Sequence, residues 1–403
     1  MLTRKFLDLG TTPPSNAYLT ESQLNLEEEY FPLRILVCER CWLVQTEDYA
    51  GRATLFSESY AYTSSVSTTW LEHAKNYVLD MITRFDLTNE STVVEIAAND
   101  GYLLQYVMEE GIPCYGVEPT RSTASLARSK GIEIIEEFFD SSLAKSLRKE
   151  RGSAELVVAN NVLAHVPDIN DFALGVYELL KPGGVVTFEF QYLLKMVQYK
   201  QFDTAYHEHY SYLSFTSVLR ILDKAGLEVF DVKELSTHGG SLRVFAHRRS
   251  DSPLRQVSRS VKRLRQAELM AGIETLAYYS GFQEAAEQIK AQLLRFLTHA
   301  KVEGKSVVAY GAAAKGNTLI NFSGITTDLL AFVCDASPAK QGKYLPGSRI
   351  PIYAPKLLID LKPDYVLILP WNIAPEIRSQ LSVINDWGGR FVTAVPELKV
   401  NSA

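Results

Sequence analysis

The densest group of chemically active side chains lies at residues 206–209, where Tyr206, His207, Glu208 and His209 are consecutive. Because the pKa of an imidazole is close to neutrality, a histidine can remove a carbon-bound proton if the resulting negative oxygen is stabilised. A neighbouring phenol, carboxylate or second imidazole can orient that base. A surface turn or a metal site would also explain the string, although no third and fourth metal ligand is evident nearby. The spacing therefore favours a proton-transfer site.

A second signal is the segment from Val93 to Leu104, an apolar run that ends in small residues before Asn99, Asp100 and a glycine. Small residues at such a turn let the backbone approach a ligand closely. Glu118 follows the next apolar run, where a carboxylate can bind both hydroxyls of a ribose. With one glycine and the acidic Glu95 and Asp100, the loop lacks the pattern that binds a pyrophosphate. It favours S-adenosylmethionine, which is cationic and carries no phosphate, over a dinucleotide.

The cofactor-binding candidates are drawn from this loop and from the ends of the neighbouring strands, because ligands of open α/β sheets lie beyond the carboxyl ends of the strands. They are Glu95, Ala97, Asn99, Asp100, Glu118 and Asn160. His165 lies five residues after Asn160 and is a site candidate for the same reason, with helix capping or packing as the alternative. Tyr60 and Tyr62 could cover the pocket, or they could be packing residues.

The C-terminal part of the chain contains a turn of small residues, from Gly311 to Asn317, that includes Lys315 and opens a predicted helix. Such a turn can bind an anion at the helix N-terminus. A glycine-rich loop with Lys340 and Lys343 follows. We expect Lys315, Asn317, Lys340 and Lys343 to contact the substrate, and the alternative is a domain that only braces the active site.

These candidates are placed by alternating apolar runs and amphipathic stretches, which predict an α/β fold. The predicted blocks are an N-terminal domain at 1–85, a central domain at 86–250, a helical connector at 251–300 and a second α/β domain at 301–403. Phe282, Ile289, Leu293 and Phe296 share one helical face in the connector, which we expect to be one long helix. The predicted strands are Thr92–Ile96, Cys114–Val117, Leu156–Ala159, Val185–Phe190, Val244–Ala246, Ser306–Tyr310, Ala331–Cys334, Tyr365–Leu369 and Phe391–Ala394.

The bulk composition excludes several classes of function. The 403 residues carry a net charge of −6, which argues against a nucleic-acid partner. No segment has the apolar length of a membrane span, and the N-terminus lacks a signal-peptide pattern. Four cysteines in a chain of this length form no disulfide framework. We expect a soluble cytoplasmic enzyme with a small-molecule substrate, as a monomer or weak homo-oligomer.

Taken together, the motifs resemble those of the sugar C-methyltransferases of deoxysugar biosynthesis, from residue 6 to residue 372. The matching stretches are FLDLGTTPPSNAYL, CERCWLVQ, YAYTSSVSTTW, VVEIAANDGYLL, GVEPTRSTASLA, NNVLAHVPDINDF, AYHEHYSYLSF, HGGSLRV, AYGAAAKGNTLIN, KQGKYLPGSRIPI and PDYVLILPWN.

The resemblance implies a zinc-ribbon-like N-terminal domain, a class I methyltransferase central domain and a C-terminal Rossmann-like domain. It implies S-adenosylmethionine as cofactor and a dTDP-linked 4-keto-deoxysugar as substrate. His209 would be the base that removes the proton next to the ketone, assisted by Tyr206 and Glu208. Tyr60 and His165 would match further active-site positions that orient the sugar or hold the enolate oxygen. Apart from the resemblance, Tyr62 and His207 are candidates for contacting the substrate.

One departure from the family pattern concerns zinc. Members usually carry an additional Cys-x-x-Cys ahead of the DLG segment, whereas this chain begins at MLTRKFLDLG and has only Cys38 and Cys41 there. Two thiolates cannot close a structural zinc site, so either the start lies upstream or the metal is lost. Methylation of a sugar hydroxyl, a non-catalytic sugar-nucleotide-binding protein and a nicotinamide oxidoreductase remain alternative functions.

Overall fold

Three β-sheets organise the chain in the computed structural model, which describes residues 2–49, 51, 55, 63–251 and 254–401. The N-terminal sheet is antiparallel, with strand order β1-β2-β3-β9. Its strands are β1 (Leu2–Thr12), β2 (Phe31–Cys38), β3 (Val44–Thr46) and β9 (Ser211–Tyr212). Because β9 directly follows residues 206–209, that string is anchored on the N-terminal sheet rather than on the central one.

The central sheet has seven strands in the order β6-β5-β4-β7-β8-β11-β10, and β11 alone runs antiparallel to its neighbours. The strands are β4 (Val93–Ile96), β5 (Cys114–Val117), β6 (Ile134–Ile135), β7 (Ala154–Asn160), β8 (Leu180–Gln191), β10 (Leu227–Leu235) and β11 (Ser241–Arg248). The carboxyl ends of β4, β5 and β7 meet at one edge, where a doubly wound sheet binds its ligands.

Helices cover both faces of the central sheet. They are α1 (Thr68–Phe85), α2 (Leu104–Glu109), α3 (Arg121–Ser129), α4 (Ser141–Arg151), α5 (Ile169–Leu179), α6 (Leu193–Gln198) and α7 (Phe215–Lys224). Helix α1 buries Ala74, Tyr77, Val78 and Met81, one helical face, and the Tyr77 hydroxyl lies 2.6 Å from Thr187 Oγ1 of β8. The first predicted block, 1–85, thus contains a helix that packs on the central sheet.

The connector is two helices rather than the single long helix that the periodicity predicted. Helix α8 (Arg259–Ala271) ends at Gly272, which has the left-handed φ of 80° that commonly terminates helices, and α9 (Phe282–Val302) begins after Gly281. Phe282 at the start of α9 stacks on Phe6 of β1, with ring centroids 4.6 Å apart. The connector therefore supports the N-terminal sheet.

The C-terminal sheet has the order β14-β13-β12-β15-β16-β17, parallel except for β17. Its strands are β12 (Val307–Tyr310), β13 (Val333–Cys334), β14 (Ile352–Tyr353), β15 (Tyr365–Ile368), β16 (Arg390–Thr393) and β17 (Lys399–Asn401). Its helices are α10 (Ala314–Ser323), α11 (Lys356–Leu361) and α12 (Ala374–Gln380). None of the helices in the described ranges is long and apolar enough to span a membrane.

Candidate active site

A cavity of about 850 Å³ lies between the carboxyl edge of the central sheet and the other two sheets. Asn16 of the N-terminal part, the loops after β4, β5 and β7, and Gly311 and Lys315 of the C-terminal part all line it. Such a meeting point of domains is where small-molecule sites usually form. The cavity therefore unites candidates from the whole chain.

One end of the cavity is the loop after β4. Ala97 and Asn99 have left-handed φ values of 60° and 50°, so the chain turns tightly and brings its backbone to the cavity wall. The Asn99 amide donates to Glu118 Oε2 at 3.0 Å, and the Thr120 amide donates to Glu118 Oε1 at 2.8 Å. Burial raises the pKa of Glu118, while these amide donors lower it. Each carboxylate oxygen retains a lone pair for a hydroxyl of a ligand.

Glu95 and Asp100 lie behind this loop and do not line the cavity. Glu95 is 1% exposed, and burial raises its pKa well above the usual value. Asp100 accepts hydrogen bonds from the backbone amide and the hydroxyl of Ser65, and Lys130 donates to the Asp100 carbonyl at 2.6 Å. Of the three acids predicted to bind the cofactor, Glu118 lines the cavity, whereas Glu95 and Asp100 lie behind the loop.

The side chains at this end fit S-adenosylmethionine. Asn160 lines the cavity, and its Oδ1 is buried without a hydrogen-bond partner in the described part of the chain, as expected of an acceptor awaiting an ammonium donor. Glu118 offers acceptors for ribose hydroxyls. Among the described residues that line the cavity, Lys315 and Lys340 are the only lysines or arginines, and both belong to the C-terminal part. A pyrophosphate at the β4 loop would lack a counter-charge.

The other end of the cavity holds two imidazoles with fixed tautomers. His209 Nδ1 lies 2.9 Å from the Thr204 carbonyl oxygen, and His165 Nδ1 lies 2.8 Å from the Glu208 carbonyl oxygen. Because a carbonyl only accepts, both Nδ1 atoms carry hydrogen and both Nε2 atoms are acceptors. Burial, and secondarily the nearby His165, lowers the pKa of His209 well below its usual value, and burial lowers that of His165 to about 4. Both rings are neutral bases at neutral pH.

Tyr206 and Glu208 have different positions relative to His209. Tyr206 lines the cavity with its ring centroid 3.9 Å from that of His209. Glu208 is fully buried and does not line the cavity, since its Oε1 accepts a hydrogen bond from Asn16 Nδ2 at 3.0 Å. Its influence on the cavity passes through Asn16 and through the carbonyl that orients His165. Glu208 therefore lies behind the cavity wall, contrary to the expectation of a carboxylate that contacts the substrate.

Three residues predicted to contact the substrate lie away from the cavity. His207 Nε2 is 3.2 Å from the Phe31 carbonyl oxygen of the N-terminal sheet. Asn317 is fully buried and donates through Nδ2 to the Ser15 carbonyl at 2.8 Å. Lys343 does not line the cavity either. His207 and Asn317 hold segments together, so the structure corrects their assignment as substrate ligands.

Lys315 and Lys340 both line the cavity but differ in their partners. Lys315 Nζ donates to Asn372 Oδ1 at 3.2 Å and lies 4.7 Å from the centre of the Trp371 ring. Burial lowers the pKa of Lys315 to about 8, against the opposing effect of Asp203. Lys340 Nζ donates to the Ala312 carbonyl at 2.8 Å. Lys315 is therefore the better candidate for an anionic substrate.

The cysteine pair does not fit a structural zinc ion. Cys38 and Cys41 hydrogen-bond to each other, but the described residues contain no group of three or more histidine, cysteine or acidic side chains that could hold a metal. Cys114 lies in β5 and Cys334 in β13, in the other two sheets. The predicted Tyr60 and Tyr62 lie outside the described residues.

Sequence reasoning missed several cavity residues, among them Asn16, His73 and His238. His73 lies beside a buried ion pair between Arg243 and Glu189. Arg243 donates to Glu189 Oε2 at 2.7 Å, and His73 Nε2 lies 3.0 Å from Glu189 Oε1. His238 precedes two glycines, and that local pattern was the one available signal.

Comparison with known proteins agrees with the fold. The strand order of the central sheet is that of a class I methyltransferase, and a family model described as "Methyltransferase domain" matches residues 70–232. A model described as "C-methyltransferase C-terminal domain" matches residues 236–396, and one described as "Putative zinc binding domain" matches residues 1–56. The chain is thus a methyltransferase by class.

The family follows from a full-length relative. The chain is 34% identical over 397 residues to the C-methyltransferase NovU of Streptomyces niveus, covering 98% of this chain and 94% of that protein. It therefore belongs to the S-adenosylmethionine-dependent C-methyltransferase family, as the motifs predicted.

The solved structures similar to this chain include two methyltransferases, each of which covers less than half of it. An S-adenosylmethionine-dependent methyltransferase from Clostridium acetobutylicum is 12% identical, with coverage of 44% of this chain and 91% of that chain and a TM-score of 0.35. Magnesium protoporphyrin IX methyltransferase from Synechocystis, with bound SAH, is 15% identical, with coverage of 45% and 88% and a TM-score of 0.36. The fold assignment rests on the strand order and the family models.

Proposed function

We propose that this enzyme methylates a carbon next to the ketone of a nucleotide-linked 4-keto-deoxysugar, with His209 as the base. The observation that carries the proposal is the His209 tautomer, because its Nε2 is an acceptor on the wall of the cavity that also holds Glu118 and Asn160. A carbon becomes nucleophilic only after the proton next to a carbonyl is removed. The cavity thus combines a base with a cofactor-binding edge.

In the proposed reaction, the C–H bond next to the ketone breaks and its proton passes to His209 Nε2. The electron pair moves to the ketone oxygen, which gives an enolate. The cofactor, when bound, supplies an electrophilic methyl group to the enolate carbon. The Thr204 carbonyl, 2.9 Å from His209 Nδ1, holds the ring in the required tautomer and stabilises the imidazolium that forms.

The neighbouring side chains take supporting roles in this proposal. Tyr206 packs against the His209 ring and presents its phenol to the cavity. His165 Nε2, as an acceptor, binds a hydroxyl of the sugar and orients it. Glu208 acts indirectly by fixing Asn16. Glu118 and Asn160 bind the ribose hydroxyls and the ammonium group of the cofactor, and Ala97 and Asn99 shape the loop.

The nucleotide part of the substrate is inferred from the C-terminal end of the cavity. Lys315 is a buried cation there, and it lies in the first turn of α10, whose N-cap residue Ala313 provides no side-chain cap. A cation and free backbone amides together favour a diphosphate. Lys340 is committed to the Ala312 carbonyl and contributes less.

The proposal is tested by hydrogen exchange in deuterated water. Incubation of the enzyme with a dTDP-4-keto-6-deoxysugar and no methyl donor should exchange the hydrogen next to the ketone, and addition of S-adenosylmethionine should add one methyl to the mass. His209→Asn should lower both rates by about 1,000-fold, because general-base catalysis typically contributes 100- to 10,000-fold. The matched control is His299→Asn, whose side chain is 71% exposed on α9. Near wild-type exchange in His209→Asn would overturn the base assignment.

A further inference from the structure

His238 has a left-handed backbone conformation, which is uncommon for a residue other than glycine. Its φ and ψ are 53° and 21°, in the left-handed region, and Gly239 and Gly240 follow with φ values of 87° and 120°. Few non-glycine residues adopt this region, and those that do are concentrated at functional sites, where the surrounding structure maintains the strain. The conformation of His238 is therefore a reason to examine what its side chain does.

The loop is fixed from both sides, so the His238 conformation is imposed. Gln201 Nε2 donates to the Gly239 carbonyl at 2.7 Å, and the Thr237 hydroxyl donates to Glu189 Oε1 at 3.1 Å. A Cβ atom at Gly239 would lie 2.5 Å from the Trp371 ring, so only glycine fits between these elements. The loop thus joins the central sheet to the C-terminal domain and presents His238 to the cavity.

The His238 ring has one hydrogen-bond partner in the described part of the chain. Asn161 Nδ2 lies 3.5 Å from His238 Nε2, and Asn161 also lines the cavity with a left-handed φ of 52°. The ring of Trp70 packs beside it at 5.0 Å. Since the Asn161 amide nitrogen donates, Nε2 accepts and Nδ1 carries the hydrogen. Burial lowers the pKa of His238 to about 4, so the ring is neutral. Among the described residues, none accepts a hydrogen bond from its Nδ1.

The imidazoles of His165 and His209 cannot supply a hydrogen-bond donor of this kind. His165 and His209 both give their hydrogens to backbone carbonyls and offer only acceptor nitrogens to the cavity. An enolate oxygen, by contrast, needs preorganised donors, because negative charge develops on it as the proton leaves carbon. His238, which lines the same cavity, therefore offers a donor where His165 and His209 offer acceptors.

We propose that His238 is a further catalytic residue, whose Nδ1–H donates a hydrogen bond to the ketone oxygen as it becomes an enolate. This inference rests on the proposed function. No proton is transferred from His238, since the carbon-bound proton goes to His209 Nε2 and the negative charge stays on the hydrogen-bonded oxygen. A neutral imidazole suits this task because it stabilises the enolate without protonating it.

The test compares His238→Asn with His238→Asp, measured as hydrogen exchange next to the ketone without methyl donor. Both residues tolerate the left-handed conformation and branch at Cγ as histidine does, but only asparagine can donate. We expect exchange to fall by about 100-fold in His238→Asp, the typical cost of losing one oxyanion donor, and by less than about tenfold in His238→Asn. The dissociation constant of S-adenosylmethionine, measured by calorimetry, should stay within about twofold in both.

His238→Gly provides a second test that does not depend on the folding of the other variants. Glycine accepts the left-handed conformation without strain and leaves space for added imidazole. Free imidazole should restore exchange in His238→Gly and not in wild type. Wild-type exchange in His238→Asp, equal losses in the Asn and Asp variants, or no rescue of His238→Gly would overturn the assignment. Absence of exchange in the wild-type enzyme would instead refute the proposed function.

Discussion

The central and C-terminal domains each contain a strand, a turn of small residues and a helix, with a carboxylate at the end of the neighbouring strand. In the central domain the unit is β4, its loop and α2, and the carboxylate is Glu118 after β5. Glu118 fixes the loop by accepting from the Asn99 amide at 3.0 Å. No lysine or arginine accompanies Glu118 on this side of the cavity among the described lining residues. The carboxylate can therefore serve a ligand.

In the C-terminal domain the unit is β12, its loop and α10, and the carboxylate is Asp335 after β13. Asp335 Oδ2 accepts from the Ala312 amide at 2.7 Å. Here a cation is present, because Lys340 Nζ lies 3.6 Å from Asp335 and donates to the Ala312 carbonyl. The Tyr18 hydroxyl donates to that carbonyl as well, at 2.6 Å. In this unit, the protein's own side chains thus bind the groups that the same backbone arrangement leaves open in the central domain.

In both domains a carboxylate at a strand end fixes the neighbouring loop. It can bind a ligand only where the protein places no cationic side chain beside it. Glu118 and Asp335 are similarly buried, with exposures of 5% and 8%, so burial does not separate them. The two carboxylates differ because Lys340 lies beside Asp335, whereas no lysine or arginine among the described lining residues lies beside Glu118. We therefore expect Glu118 to act in binding and Asp335 to act in stability.

The largest expected effect is on cofactor affinity. Glu118→Gln should weaken S-adenosylmethionine binding by about 100-fold, because hydrogen bonds to a charged group contribute about 1.5–3 kcal/mol and the new amide would face backbone N–H donors. Titration calorimetry measures this, with Asp335→Asn as the matched control, expected to remain within about twofold. Equal losses in the two variants would show that both units bind the cofactor or that neither does.

A smaller effect is expected on the C-terminal unit. Lys340→Met should lower the free energy of unfolding by about 2 kcal/mol, because it leaves the Asp335 carboxylate buried without its cation, and urea denaturation measures the change. The double variant Lys340→Met/Asp335→Asn should recover part of the loss. Cofactor affinity should not change in either. A stable Lys340→Met variant with weakened cofactor binding would contradict the assigned role.

The sequence predicted the parts of this comparison that depend on local pattern. The apolar runs of β4, β5 and β7 and the position of Glu118 were predicted because a buried strand followed by a polar residue leaves a clear local pattern. Helix α1 was missed, although its buried residues Ala74, Tyr77, Val78 and Met81 follow the i, i+3, i+4, i+7 spacing of an amphipathic helix.

The active-site string shows the limit of local reasoning. Tyr206, His207, Glu208 and His209 are adjacent in sequence, but tight turns send their side chains to different partners. His207 contacts the Phe31 carbonyl, Glu208 contacts Asn16, and His209 faces the cavity. Phe31 lies in β2 and Asn16 in the loop between β1 and β2, both more than 170 residues away in the chain. No spacing rule within the string could have separated the three roles.

The smallest expected effect is on the pH dependence of activity. The open cavity depends on neutral imidazoles, whereas the C-terminal unit depends on an ion pair. Only unprotonated His209 can accept a proton, and burial holds its pKa well below 6.5, so lowering the pH should inactivate it only at more acidic values. Between pH 7.5 and 5.5, kcat/KM should fall by less than about twofold, compared with about tenfold for a histidine of ordinary pKa.

Buried neutral histidines also destabilise the fold in acid, because unfolding lets them take up protons below their usual pKa. Tryptophan fluorescence at each pH separates that loss from titration of the base, and an acid limb near pH 6.5 in a folded enzyme would contradict a neutral, buried His209.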